Sequence, residues 1–155
     1  MMPPSLLQEK KVHSENMQLL DNQVRTFLAR MGLDTSASEE GFYMFKYGST
    51  AVMITLIEQG DHTLVRLAST LLTEVSPNVG LVRRILRFNA EVLFGSFLLF
   101  EDNTLSFAAT LLGRSLQFED FAFALNYVAD ISDVYDDKLQ QIAGGQRALD
   151  VYGEA

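Results

Sequence analysis

The chain has 155 residues, 48% apolar and 21% charged, which suits one domain with a buried core. Twelve Lys and Arg against twenty Asp and Glu leave a net charge of −8, which argues against general nucleic-acid binding because phosphate backbones are repelled. Cysteine is absent, so disulfides and thiol chemistry are excluded. No apolar run reaches the ~20 residues that cross a bilayer. The first residues lack the charge-then-apolar order of a secretion signal. A cytoplasmic protein with no membrane association is the simplest expectation.

Residues 1–13, with two prolines and no hydrophobic period, read as an N-terminal arm. Ser14 is a plausible N-cap for a first helix, with Leu20, Val24, Phe27, Leu28 and Met31 on one stripe and Gly32 as the stop. Asp34 to Glu40 is a polar connector. Three strand-like runs follow: Phe42 to Tyr47, Thr50 to Glu58 and Thr63 to Thr73, joined by turns at Gly48-Ser49 and Gln59-Gly60-Asp61. Such short turns predict an antiparallel meander. The second run is apolar on both alternating faces (Val52, Ile54, Leu56 and Ala51, Met53, Ile57), which predicts a central strand covered on both sides.

Ser76-Pro77 offers a cap and a first-turn proline for a middle helix, whose inner face carries Leu81, Ile85, Phe88 and Val92. Gly95 breaks it and is expected to form a bend that a Cβ would hinder; Asn89 is expected to tie helix to loop. Phe97 to Phe100 and Thr104 to Leu111 form a hairpin around Glu101-Asp102-Asn103, the second strand having one apolar and one more polar face. The last helix runs from about Phe118 to Ala143, and residues 146–155 read as a C-terminal tail. Its inner stripe includes Phe121, Leu125, Val128, Ser132, Leu139 and Ile142; a second apolar set, Phe123, Tyr127, Ile131 and Val134, lies on the other side. One sheet cannot cover both, so the outer set is expected to meet a loop, a terminus, a second subunit or a client.

Phe123, Tyr127, Ile131 and Val134 are therefore the candidate partner or dimer interface, with Leu81, Ile85 and Phe88 as core or dimer contacts. Arg83, Arg84 and Arg87 form a basic cluster suited to carboxylate partners, since guanidinium groups grip carboxylates bidentately. Asp130, Asp133 and Asp137 share a helix face with Glu119 and Asn126; such oxygens can hold Mg²⁺ or Ca²⁺, but a solvated face is the plainer reading. His13 and His62 are separate, and no nucleophile motif, phosphate loop or zinc spacing is present. The expectation is a non-enzymatic protein without cofactor or metal.

Leu86-Arg87-Phe88-Asn89-Ala90, Phe94-Gly95-Ser96-Phe97, the Glu101-Asp102-Asn103 turn and Leu116 through Tyr127 together resemble the YbjN-like family. So do Ala129-Asp130, Tyr135-Asp136-Asp137 and Gly144-Gly145, and the resemblance spans roughly residues 14–145. That family is related in fold to the CesT-like chaperones of type III secretion. The resemblance implies an α+β domain of order α-β-β-β-α-β-β-α, a twisted antiparallel sheet flanked by helices, commonly a homodimer. It also implies a chaperone-like or regulatory protein that binds an extended peptide or protein client without catalysis. The alternative reading is a regulator sensing a small molecule or a divalent metal.

Overall fold

The computed structural model describes residues 14–38, 41–48, 50–143 and 146–147. The arm expected at 1–13, Ser49, Gly144-Gly145 and the tail from 148 lie outside the described residues. The elements are α1 (Glu15–Arg30), β1 (Phe42–Tyr47), β2 (Thr50–Gln59), β3 (His62–Thr73), α2 (Val79–Glu91), β4 (Ser96–Leu99), β5 (Leu105–Leu112), α3 (Phe118–Ala143) and β6 (Gln146–Arg147). The architecture is the α+β order expected, with β6 added.

Helix α1 begins where the sequence places it: the Ser14 hydroxyl accepts the Met17 N–H at 3.2 Å and donates to Glu58 at 2.5 Å. Its stripe buries Met17, Leu20, Val24, Phe27 and Leu28. The start of α2 differs from expectation. Asn78 is the cap, accepting the Leu81 N–H at 2.9 Å, while Ser76 and Pro77 stand outside the helix. Proline biases the residue before it toward extended backbone. The capping carboxamide one position after it then opens the helix.

The sheet order is β1-β2-β3-β5-β4, all antiparallel, so β3 is the centre and β2 lies next to an edge. Strand β6 sits within the stretch read as a tail and pairs Arg147 and Gln146 with Leu72 and Thr73 at the end of β3. A register shift between Thr70 and Leu72 leaves two successive residues, Leu71 and Leu72, buried just before that pairing.

The core lies between the sheet and the helices. It joins Tyr43, Val52, Ile54, Val65, Leu67 and Phe107 of the sheet to Val24 and Leu28 of α1 and Phe121, Leu125 and Val128 of α3. Each such side chain contributes about 1.5–3 kcal/mol on leaving water. The loop after α2 is held against this core at Gly95 (φ +80°), where a Cβ would stand 2.8 Å from the Ala108 carbonyl and 2.9 Å from the Phe107 ring.

Candidate interaction surfaces

Register divides the sheet into two unlike faces. Tyr43, Ile54, Leu67 and Ala109 are successive partners across β1, β2, β3 and β5, and they face the helices. The adjacent row, Met44, Met53, Ala68, Ala108 and Ser96, points the other way, as do Thr55, Arg66 and Thr110 beside it. The expectation that β2 is a central strand covered on both sides is thus corrected. Its Ala51, Met53 and Thr55 face is only half-buried and lines an open trough of about 520 Å³. Small residues on β3 and β5 make the floor; Met44, Met53 and Phe100 supply apolar walls, with Arg66 and Asp102 also on the lining. Arg66 donates from Nε to Thr110 Oγ1 at 3.2 Å.

Each sheet edge is capped at one residue by a neighbouring segment. On β4, Asn89 of α2 acts as a short substitute strand: its Oδ1 accepts the Phe97 N–H at 2.6 Å and its Nδ2 donates to the Phe97 carbonyl at 3.2 Å. Asn89 therefore ties α2 to a strand rather than to a loop, and occupies the outward groups of Phe97. On β1, Ser38 takes the outward groups of Phe42, with its Oγ accepting the N–H at 3.2 Å and its N–H donating to the carbonyl at 2.8 Å. Two residues along, the Met44 N–H and carbonyl point outward by the same alternation. They meet no partner among the described residues. The Met44 side chain lines the trough, so the open edge and the open face meet at this residue.

The α2 and α3 residues singled out from sequence divide between core and surface. Leu81 and Ile85 are buried in the subunit's own core, and Phe88 packs on Phe97 and Tyr135, so these three have little surface for a partner. The outer flank of α2 instead carries Val79 (70% exposed), Val82 and Leu86 (63% exposed). On α3, Tyr127 and Ile131 are half-buried against the core. The Tyr127 hydroxyl accepts the Leu93 N–H at 3.1 Å, and the Phe94 ring stacks on both Phe123 and Tyr127. The loop after α2 thus covers part of the outer α3 set, the first of the covers expected for it. Phe123 and Val134 remain exposed, as do Leu93 and Leu112 nearby in the chain order of that loop and β5. Ile142, read as inner, is exposed, while Ala124 and Asp136 are buried.

Arg83, Arg84 and Arg87 are exposed on α2 and make no ion pair among the described residues. Asp130, Asp133 and Asp137 are exposed on α3, and Asp133 and Asp137 are already engaged with other groups. Among the described residues no group of three or more His, Asp or Glu side chains gathers where a metal ion could sit. One strongly shifted titrating group is structural. Burial, then a 2.5 Å hydrogen bond to Asp21, holds the Tyr43 hydroxyl well above the usual tyrosine range. Asp21 also accepts Arg25 Nε at 2.8 Å, so one carboxylate ties α1 to β1.

With this geometry, the sequence profile described as "T3SS (YopN, CesT) and YbjN peptide-binding chaperone 1" matches residues 18–151. The chain belongs to this family. Two solved structures share the family fold with it. A chain of the ExsC–ExsE complex superposes with a TM-score of 0.63 at 20% identity, covering 79% of this chain and 95% of that one. YbjN from E. coli superposes with a TM-score of 0.51 at 16% identity, covering 79% and 93%. Among curated proteins, none matches. Among the described residues no helix of this family member is long and apolar enough to cross a membrane.

The open trough and the β1 edge are the surfaces that sequence reasoning missed. Their signal is the second apolar face of β2 (Ala51, Met53, Ile57), for which the described residues supply no full cover.

Proposed function

We propose that this family member is a non-catalytic, chaperone-like protein that binds an extended client segment as an added strand at β1. The observation that carries this reading is the meeting of an open strand edge and an apolar trough at Met44. A segment paired along β1 places alternate side chains on the open face, so its backbone supplies affinity and its apolar side chains supply selectivity. The ExsC fold neighbour, seen in a complex with ExsE, supports a protein client.

The same reading includes a homodimer. Val79, Val82, Leu86 and Leu93 follow the outer flank of α2, and Phe94 links that flank to the exposed Phe123 of α3. A second copy is the occupant assigned to this surface, and Val134 extends it along α3. Leu86→Glu combined with Leu93→Glu is expected to give a monomer by sedimentation velocity; an unchanged mass refutes the dimer surface.

Met44→Pro tests the client site. The Met44 N–H points away from β2, so proline removes the docking donor while leaving the β1–β2 ladder paired. Binding of a fluorescein-labelled peptide of alternating Gln and Leu should weaken at least about tenfold. Wild-type affinity in this variant would rule out β1 as the docking edge.

A further inference from the structure

Helix α2 concentrates three positive charges that no other described residue compensates. Arg83 and Arg87 stand one turn apart on one flank, and Arg84 sits beside them. All three are exposed, and none is hydrogen-bonded or ion-paired among the described residues; the Arg84 guanidinium only overlies the Phe88 ring, 5.9 Å from its centroid. The helix carries a single acid, Glu91, at its far end. Like charges one turn apart work against the helix, so nothing within α2 itself explains the cluster. It also stands out against a chain of net charge −8.

The three residues are arginines, with no lysine on the helix. A planar guanidinium presents paired N–H donors that match a carboxylate, whereas an ammonium offers a point charge. The basic flank also adjoins the apolar flank of Val79, Val82 and Leu86. A nucleic-acid backbone matches this surface poorly. The cluster spans about one helical turn, room for only two or three phosphates, and the surrounding acidic surface repels the rest of a polyanion.

We propose that Arg83, Arg84 and Arg87 form a docking site for an acidic segment of a protein partner, gripping its Asp and Glu side chains. The site rests on the peptide-binding reading but lies on α2 rather than on β1. It makes a client with carboxylates flanking its apolar stretch the preferred one.

The test compares two fluorescein-labelled peptides of equal length by anisotropy at low salt: both carry the alternating Gln and Leu stretch, flanked by about ten Glu in one (the Glu-Leu peptide) and by about ten Gln in the other (the Gln-Leu peptide), a flank long enough to cross the sheet from β1 to α2. Wild-type protein is expected to prefer the Glu-Leu peptide by about tenfold, the sum of several exposed charge pairs. Added salt should erase the preference. Combined Arg83→Gln, Arg84→Gln and Arg87→Gln should abolish it while leaving Gln-Leu binding unchanged, and these exposed changes leave the core intact. Met44→Pro separates the two ideas, since it weakens both peptides if β1 docks the strand yet preserves the ratio between them. Equal affinity of wild type for the two peptides, or a preference that survives the triple substitution, overturns the arginine site. Tighter binding of a short DNA duplex through the same arginines overturns it as well.

Discussion

Leu67 and Ala68 are neighbours on the central strand, yet they answer to different demands. Leu67 points beneath the helices and is fully buried, between Ile54 and Ala109 in the register. Ala68 points to the opposite side, between Met53 and Ala108 on the trough floor. One face is filled to the density of a protein interior, which holds the subunit together. The other is apolar but shallow, and among the described residues no helix covers it. In the proposed reading the sheet gives stability on one side and recognition on the other.

Substitutions along this contrast should separate the two roles. The largest loss is expected for Leu67→Ala, about 2–5 kcal/mol in denaturant unfolding, because the cavity opens among well-packed neighbours. If this change costs no more than a surface substitution, the helix-covered face is not the stabilising one. Tyr43→Phe removes the hydroxyl that ties β1 to Asp21 and should cost about 1 kcal/mol. It also carries a pH signature. The folded Tyr43 holds its proton above the ordinary value of about 10, so below that pH its contribution is complete. Above it the unfolded chain releases the proton first, and stability falls as pH rises. In the Phe variant that part of the alkaline slope should vanish, measurable as unfolding midpoints at successive alkaline pH values.

A smaller change of opposite sign is expected at Ser69. Its hydroxyl is fully buried on the helix-covered face and has no hydrogen-bond partner among the described residues. Ser69→Ala should raise stability by up to about 1 kcal/mol, and a loss instead would reveal a partner for that oxygen. Smallest of all is Ala68→Leu on the open face, expected to shift stability by no more than ~0.5 kcal/mol. It should nevertheless weaken capture of the Gln-Leu peptide by filling the trough; unimpaired capture would mean that client side chains do not reach the floor.

Much of the architecture was legible along the chain because local periodicity carries it. The α1 stripe, the Ser14 cap, three antiparallel runs and the late hairpin each follow from side-chain spacing and turn residues. The family resemblance rested on the same segments and is met by the profile over residues 18–151. What spacing could not supply was the cover on each face. Spacing left the outer apolar set of α3 to a loop, a terminus, a second subunit or a client, and the loop at Leu93 and Phe94 folds over Tyr127. The second face of β2 looked buried, yet it opens onto the trough. Asn89 looked like a loop tether, and its role at the β4 edge needed the strand 8 residues away to be in place.

The order of elements, their periods and the acidic balance were determined by the amino acids read in line, because each depends on residues within a turn or two of one another. Which apolar surfaces are sheltered was decided only when distant segments met. Burial is a property of what lies opposite a side chain, and for Met44, Tyr127 and Asn89 that neighbour comes from elsewhere in the fold or is missing altogether.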